Sequence, residues 1–476
     1  MTEGRRKRHD LSTVDAAVAA GHPATVEAGI EALEAGGSAA DAAVAACLAS
    51  CVAETVMTGL LGGGHAIHLD GASGRIRNLD CFVAVPGLGG SAQEVELLEL
   101  EVPFGTELVH YTVGIASCGV PGLPAGLGAL HSEHGRLPWR RLVEPALRLA
   151  ESGVVFPKAH AACLEMLASV MTMNEGARIY SPGGDLLPAG GTLEQPGLVR
   201  ALELLADEGP EGAYRGALGE ALLALMDERG GLVTRDDLLA YRALWSEPLE
   251  IPYAGTRFFT RGDLSGLPET LRRLPVLAGL SAAERALLLV EVLDGGPAGD
   301  GHTTTLTAVD AEGSACVLTT SLGLGSGDFL PGLDLHLNSM LGETDLIRGP
   351  LEPGERMGSM MAPSLALDHE GLVLALGAAG GTRLRSALVQ VAAGILDEGL
   401  YPQVAVSRPR LHPAAGLVQL EPGFDADVTA ALEEAGYEVR AWPAQHHYFG
   451  GVSAVARAGA AGDPRRSGAS ATLPRR

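Results

Sequence analysis

The sequence lacks several patterns that would assign it to well-known classes. Its six cysteines form no Cys-x-x-Cys pair, so neither a disulfide framework nor a zinc site is predicted. No apolar run reaches the ~18 residues that a membrane-spanning helix needs. Only 34 lysine and arginine residues stand against 58 aspartate and glutamate residues, and the resulting net charge of -24 would repel a phosphate backbone. We therefore expect no membrane span and no nucleic-acid partner, and we interpret the acidity as a determinant of solubility.

Signals for export and for metal binding are also missing. The basic residues 5–8 are not followed by an apolar segment, so no signal peptide is predicted and we expect a cytoplasmic protein. The pairs His131/His134 and His446/His447 lack the His-Glu-x-x-His spacing and an accompanying acidic ligand. We interpret them as ordinary histidines and expect no metal and no cofactor.

What the sequence does contain indicates a large layered protein. The 476 residues are 46% hydrophobic and include 65 glycines, and small residues allow helices and strands to pack closely. An α/β (α+β) fold is therefore predicted. Because no long linker and no internal repeat divides the chain, we expect one domain over residues 1–476.

Local patterns predict the individual elements. Ser38 is a good N-cap for a helix over residues 39–49, with Asp41 near the positive end of that helix. Residues 261–300 are not assigned. The other predictions, in chain order, are a β-hairpin over 66–69 and 76–79, mostly helices over 120–245, a turn at 253–256, a strand over 372–376 that leads into the glycine-rich junction 377–381, and a helix over 386–396.

A second hairpin carries a row of hydroxyl groups. Residues 303–309 and 314–321 are rich in β-formers and are joined by a turn. A two-residue loop would pair Thr303 with Thr320, and a loop one residue longer would pair it with Ser321. Either register places a hydroxyl opposite Thr303, at a distance that allows a hydrogen bond. A surface strand pair stabilised by Thr–Thr contacts is the competing interpretation.

A threonine becomes a nucleophile only when a base takes its proton. Scission of the His302–Thr303 bond would supply that base, since the freed α-amine of Thr303 can act on its own hydroxyl. The developing oxyanion would need two N–H donors, for which Gly380 and Gly381 are candidates. Their junction lacks the Gly-Lys-Ser/Thr ending of a phosphate loop, so nucleotide binding is not favoured.

Several motifs occur together and in order along nearly the whole chain. They resemble those of the gamma-glutamyltranspeptidase family. The resembling segments are 27–29, 35–45, 62–64, 119–122, 303–310, 325–327, 337–343, 359–363, 377–381, 408–412 and 463–466. No single segment would suffice, but their joint specificity is high.

The resemblance implies a fold and a maturation route. The fold would be the four-layer αββα sandwich of the N-terminal-nucleophile hydrolases. The chain would be a zymogen that cleaves itself into a large subunit, residues 1–302, and a small subunit, residues 303–476. The two fragments would remain together as one intertwined heterodimer.

The resemblance also implies roles for individual residues. Thr303 falls on the nucleophile, and Ser321 falls on a second hydroxyl that hydrogen-bonds it. Gly380-Gly381 fall on the oxyanion-hole pair. Ser359 falls on the first of two serines that hold the α-carboxylate of the substrate, and Glu343 falls on an acidic residue that holds its α-amino group.

The sequence departs from the family at three pocket positions. Phe82 lies at or beside the place of the carboxylate-binding arginine, and Met360 replaces the second serine. Gly323 lies where classical members carry a polar side chain near the substrate. Another cation would have to bind the carboxylate, and Arg383 and Arg385 are weak candidates.

Three functional hypotheses follow. The first is a gamma-glutamyl hydrolase or transferase that acts on glutathione-like amides through a threonine acyl-enzyme, with water or an amine as acceptor of the acyl group. The second, favoured by the missing arginine, is an acylase, amidohydrolase or C–C bond hydrolase for another small-molecule acyl substrate. The third is an uncleaved, non-catalytic homologue that binds a ligand or partner.

Overall fold

The structure is a computed structural model that describes residues 16–90, 95, 97–104, 107–294, 303–381, 383–414 and 416–474. The strands within these residues are β1 (Ala16–Ala20), β2 (Gly63–Leu69), β3 (Ile76–Cys81), β4 (Leu98–Phe104), β5 (Glu107–Val113), β6 (Val154–Val155), β7 (Thr192–Leu193), β8 (Leu244–Ser246), β9 (Leu249–Tyr253), β10 (Thr256–Thr260), β11 (Thr304–Val309), β12 (Ala315–Ser321), β13 (Phe329–Leu330), β14 (Leu335–His336), β15 (Ser364–Asp368), β16 (Gly371–Ala379), β17 (Leu411–Ala414), β18 (Leu417–Leu420), β19 (Glu438–Ala441), β20 (Gly451–Ala456), β21 (Gly459–Gly462) and β22 (Ala469–Leu473). The α-helices are α1 (Pro23–Glu34), α2 (Ala39–Ala53), α3 (Leu123–His134), α4 (Trp139–Ser152), α5 (Lys158–Met171), α6 (Gly176–Tyr180), α7 (Pro196–Glu208), α8 (Gly212–Arg215), α9 (Ala217–Arg229), α10 (Arg235–Ala240), α11 (Leu267–Arg273), α12 (Ala282–Leu293), α13 (Arg383–Leu396), α14 (Pro402–Ser407) and α15 (Ala426–Glu434).

Two large sheets pack face to face. The first has the strand order β22-β1-β11-β12-β2-β3-β8, and the second has the order β21-β20-β16-β15-β10-β9. Their facing sides share one apolar cluster, in which Ile67 and Val317 of the first sheet join Leu365 and Val455 of the second. Helices α1 and α2 cover the outer side of the first sheet, with α4 packed on α2, and helices α13 and α14 cover that of the second. The predicted αββα sandwich is confirmed.

Helix α2 forms where the sequence places it. The Ser38 side chain accepts a hydrogen bond from the Asp41 N–H, and the Asp41 carboxylate accepts one from the Ser38 N–H, so the two residues form a capping box. Every residue of α2 is buried, and eight of the fifteen are alanine, which lets the helix lie close to β11 and β12. The helix continues past the predicted end to Ala53, and Glu54 is its C-cap.

The hydroxyl-rich hairpin adopts the longer of the two predicted registers. Thr304 pairs with Thr320 and Val309 pairs with Ala315. The two-residue loop was wrong, because Asp310 pairs with Ser314 through its backbone and its carboxylate also accepts the Ser314 N–H. Thr303 itself precedes the first ladder pair, and the register carried one residue further places it opposite Ser321.

Other boundaries differ from the expected ones. The helix predicted from residue 386 begins at Arg383, since the N–H groups of Arg383 and Leu384 already donate to the carbonyls of Gly380 and Gly381. The unassigned stretch contains α11 and α12. No helix of the described ranges is both long enough and apolar enough to span a bilayer.

A glycine in β2 tests how tightly the first sheet is packed. A Cβ added at Gly64 would lie 2.4 Å from the Thr319 carbonyl oxygen, a backbone atom that cannot move aside. We expect Gly64→Ala to lower the free energy of unfolding by about 1–3 kcal/mol. Gly183→Ala is the control, because its Cβ would meet nothing within 4 Å. Equal thermal midpoints for the two variants would contradict this account of the sheet.

Candidate active site

A pocket of about 370 Å³ brings most of the predicted site residues together. It contains the expected nucleophile, the expected hydroxyl partner, and four of the five expected substrate-binding positions, all except Gly323. The lining residues are Phe82, Thr303, Ser321, Met340, Glu343, Asp345, Leu346, Ser359, Met360, Met361, Gly381 and Leu384. Residues far apart in the chain thus meet at the end of the sandwich where β11 begins and β16 has ended.

Thr303 is held directly against the glycine pair. The Gly380 N–H donates a hydrogen bond of 2.7 Å to Thr303 Oγ1, and Thr303 is only 5% exposed. An N–H that points at a nucleophilic oxygen also points close to the carbonyl that this oxygen would attack. The contact therefore supports an oxyanion-binding role for Gly380.

The glycine pair has a conformation that side chains rarely adopt. Gly380 has φ +125° and Gly381 has φ +56°, and a Cβ at Gly380 would lie 2.9 Å from Gly450 Cα. Helix α13 starts at Arg383, directly after this turn. The positive end of its dipole is therefore aimed at the region around Thr303, where it favours a developing negative charge.

Ser321 also lines the pocket, and Gly323 lies directly behind it. The Gly323 N–H donates to Ser321 Oγ at 2.8 Å, which orients this hydroxyl at the end of β12. A Cβ at Gly323 would lie 2.3 Å from Glu343 Oε1, and the residue has φ +69°. The departure at Gly323 therefore has a structural reason, since only glycine lets the Glu343 carboxylate come this close.

Glu343 is a buried carboxyl group with unused bonding capacity. Its side chain is 6% exposed, and within the described ranges nothing hydrogen-bonds its Oε1. Burial, with a smaller contribution from Asp345, raises the pKa of Glu343 to about 8. The pocket thus holds a carboxyl group that an incoming cationic or hydrogen-bond-donating group would stabilise.

The backbone of Ser359 is held by a half-buried arginine, Arg261. The Ser359 N–H donates to Asp263 Oδ2 at 2.7 Å, and Ser359 Oγ accepts the Met361 N–H at 3.2 Å. The Arg261 guanidinium donates to the carbonyls of Ser359 and Met361 and also to Asp263. Arg261 therefore supports the backbone of this segment, and Asp263 neutralises its charge.

No arginine or lysine of the described residues lines the pocket. Phe82, at the position of the expected arginine, is 1% exposed and stacks on His65 with ring centroids 5.5 Å apart. The two candidate replacements lie elsewhere. Arg383 Nε donates to the Tyr448 carbonyl at 3.1 Å, and Arg385 donates to Thr270 and to the Leu293 carbonyl.

The structure adds two charged residues that the sequence did not single out. Glu54 and Arg466 line a second cavity that also borders Thr303. The sequence could have indicated Arg466, because this residue lies in the motif 463–466. For Glu54 the only signal in the sequence was its position directly after α2. His302 lies outside the described residues, and within those residues no cluster of three or more His, Cys, Asp or Glu side chains could hold a metal ion.

The sequence profile of the gamma-glutamyltranspeptidase family matches residues 25–291 and 285–473. Acylase ACY 1 proenzyme of Pseudomonas sp. (strain V22) is 30% identical over 512 residues, which cover 92% of this chain and 89% of that protein. Glutathione hydrolase proenzyme of Bacillus subtilis (strain 168) is 25% identical over 505 residues, which cover 89% and 85%.

A solved structure shares the whole fold. The crystal structure of cephalosporin acylase from Bacillus halodurans superposes with a TM-score of 0.83 and 22% identity, covering 100% of this chain and 99% of that one. At this level of identity the likeness concerns the fold alone. It agrees with the αββα arrangement of the two sheets.

The raised pKa of Glu343 predicts a pH-dependent stability. Between about pH 4.3 and about pH 8 the folded protein keeps a proton that the unfolded chain releases, so the free energy of unfolding falls as pH rises through this window. Glu343→Gln removes the effect. We expect the variant to match the wild type near pH 4 and to exceed it by a few kcal/mol above pH 8.

Denaturant unfolding of both proteins across this pH range measures the difference. Asp345→Asn is the companion variant, because removal of its charge lowers the pKa of Glu343 and narrows the pH range over which the free energy of unfolding falls. A stability difference that does not change with pH would contradict the buried, protonated carboxyl group.

Proposed function

We propose that this chain, which belongs to the gamma-glutamyltranspeptidase family and is an enzyme of the hydrolase and acyltransferase class, cuts itself before Thr303 and uses Thr303 as its nucleophile. Both relatives described above are named proenzymes, which supports maturation by cleavage. The large fragment would be residues 1–302 and the small one residues 303–476.

The proposed self-cleavage is an acyl shift followed by hydrolysis. Thr303 Oγ attacks the carbonyl carbon of His302, an ester forms, and the peptide nitrogen leaves as the α-amine of Thr303. Water then hydrolyses the ester and leaves a carboxylate on His302. The hydrogen bond from Gly380 to Thr303 Oγ1 supports this step, because it holds the hydroxyl of the uncut chain in a fixed orientation.

The same groups would then act on a substrate. Thr303 Oγ attacks an amide carbonyl while the α-amine takes its proton, and the Gly380 and Gly381 N–H groups bind the oxyanion. The α-amine returns the proton to the leaving nitrogen, and an acyl-enzyme remains. Water or an amine attacks this ester and releases the acyl group.

The pocket beside Thr303 would select the acyl group. No cationic side chain is among its described lining residues, and the lack of this cation is the observation that carries the proposal. Phe82, Met340, Leu346, Met360 and Leu384 give the pocket an apolar wall. A substrate carboxylate buried there would have no charged partner, which is costly. We therefore propose an acylase or amidohydrolase whose acyl group carries no carboxylate.

The acidic end of the pocket indicates a second feature of the substrate. Glu343 and Asp345 both line it, and Glu343 Oε1 has no hydrogen-bond donor in the described part of the chain. A primary ammonium group supplies three donors and a positive charge, so it would satisfy both carboxyl groups. An apolar acyl chain that bears an amine fits this arrangement best.

The second candidate is a gamma-glutamyl hydrolase or transferase acting on glutathione-like amides. Glu343 and Ser359 favour it, since both line the pocket where the family resemblance expects groups that hold an amino acid. The relative named glutathione hydrolase also favours it. A non-catalytic binding role is not proposed, because the chain belongs to an enzyme family.

Removal of the nucleophile tests the self-cleavage. The wild type should run as two bands on a denaturing gel, and the smaller fragment should begin Thr-Thr-Thr on N-terminal sequencing. Thr303→Ala should stay as one band near 48.8 kDa and lose roughly 10³-fold or more in kcat. A Thr303→Ala protein that still splits at this bond would show that the nucleophile is another residue.

Four p-nitroanilides separate the two candidate substrates. The acyl groups are gamma-glutamyl, 4-aminobutanoyl, glutaryl and butanoyl, which differ only in the amine and the carboxylate. We expect the carboxylate to lower kcat/KM by roughly tenfold or more, because it would lie unpaired in an apolar pocket. The amine should raise it, so 4-aminobutanoyl should be the best of the four.

A matched variant sharpens this comparison. Met360→Ser restores a hydroxyl at the pocket position where the resemblance expects a second serine, and it should narrow the gap between 4-aminobutanoyl and gamma-glutamyl. If the wild type cleaves gamma-glutamyl-p-nitroanilide as fast as the 4-aminobutanoyl compound or faster, the gamma-glutamyl candidate is the correct one.

A further inference from the structure

A second, narrow cavity also borders Thr303 and shares no other lining residue with the substrate pocket. It is lined by Glu54 and Arg466, two buried charged groups that the proposed chemistry does not use. Arg466 contacts Thr303 and Glu54 contacts Thr304, the first two residues of the proposed small subunit. Their placement next to the proposed cleavage point needs a physical reason.

Glu54 holds the residue that follows the nucleophile. The Thr304 hydroxyl donates to Glu54 Oε2, and the Thr25 hydroxyl donates to Glu54 Oε1 at 2.6 Å. A Cβ at Gly21 would lie 2.4 Å from Oε2, so the carboxyl group fits only beside a glycine. Burial raises the pKa of Glu54, which the two hydroxyls and Arg466 oppose. Glu54 thereby ties β11 to helices α1 and α2.

Arg466 holds the nucleophilic residue itself. Its Nη1 donates to the Thr303 carbonyl oxygen at 3.4 Å and contacts Met57 Sδ at 3.1 Å. The side chain lies against two glycines, since a Cβ at Gly451 would be 2.3 Å from its Cγ and one at Gly380 would be 3.2 Å from Nη2. The Arg466 guanidinium therefore lies beside both the Thr303 carbonyl and the turn that presents the Gly380 N–H.

These contacts matter because the sheet does not fix Thr303. Its ladder to β12 begins only at Thr304, and a newly cut chain end tends to fray. Successive side chains of a strand point to opposite sides. If Thr304 is held toward the helices, the Thr303 side chain must point toward Gly380.

We propose that Glu54 and Arg466 are positioning residues that fix the Thr303–Thr304 peptide, so that the Thr303 hydroxyl stays on the Gly380 amide during self-cleavage and in the mature enzyme. The proposal rests on the proposed role of Thr303. It predicts that these residues act on kcat and on the rate of self-cleavage, while KM is left to the separate substrate pocket.

The test removes one hydroxyl from the full-length protein. Thr304→Val deletes the hydroxyl that Glu54 binds while the shape of the side chain stays nearly the same, and Thr304→Ser keeps that hydroxyl. Thr307→Val is the matched control, because it deletes a buried hydroxyl of the same strand that bonds Ser453 at 2.9 Å and not Glu54. Glu54→Gln tests the carboxyl group itself.

The readouts are the time course of self-cleavage on a denaturing gel, kcat and KM on one anilide, and the thermal midpoint. We expect Thr304→Val and Glu54→Gln to slow cleavage and lower kcat by roughly 10- to 100-fold, with KM within about twofold of the wild type. Thr304→Ser should return to within about threefold of the wild type, and Thr307→Val should cleave normally.

Three results would overturn the proposal. The first is that Thr304→Val cleaves itself at the wild-type rate. The second is that Thr304→Val or Glu54→Gln changes KM and leaves kcat unchanged. The third is that Thr307→Val slows self-cleavage as much as Thr304→Val does, which would indicate a general loss of stability. If Glu54→Gln does not fold, the Thr304 series carries the test alone. A wild type that is never cut would instead refute the proposed role of Thr303, and this inference with it.

Discussion

The hydrogen bond from the Gly380 N–H to the Thr303 hydroxyl joins the two sheets at one end of the sandwich, and the site depends on it. Thr303 precedes β11 of the first sheet, and Gly380 follows β16 of the second. The sheets must therefore approach closely at this end. Gly377 shows how this is achieved, since a Cβ there would lie 2.1 Å from Thr305 Oγ1. The abundance of small residues is the compositional consequence.

The C-terminal turn that carries Arg466 is anchored by buried ion pairs. Arg410 contacts Asp463 at 2.6 Å, and Arg465 contacts both Asp463, at 3.2 Å, and Glu421. Removal of one member would leave an uncompensated buried charge, which costs about 3–5 kcal/mol. Such a network does more to fix the direction of the chain than to add net stability. It delivers Arg466 to the Thr303 carbonyl, so a motif at the end of the sequence serves a residue 163 positions earlier.

The wall of the pocket and the surroundings of Thr303 are built from different parts of the fold. Thr303, Ser321 and the glycine pair come from strand ends and a helix start, which the sheet framework holds in place. The pocket is formed largely by the segments 340–346 and 359–361, which are loops and short turns. A substitution in these segments changes the pocket wall and leaves the backbone around Thr303 in place. Met360 is such a position, and Phe82, directly after β3, alters the same wall.

The sequence by itself determined the parts that local rules govern. The Ser38 cap, the hairpin of hydroxyls and the strand-to-helix glycines depend on neighbours a few residues away, and the resemblance of ordered motifs indicated the family. The tertiary structure decided what depends on distant contacts. Asp310 set the hairpin register, burial raised the pKa of Glu343, and Arg383 and Arg385 bond backbone carbonyls of residues outside the pocket lining. Glu54 and Arg466 meet at Thr303 only because packing joins α2, β11 and the C-terminal turn, which no local pattern encodes.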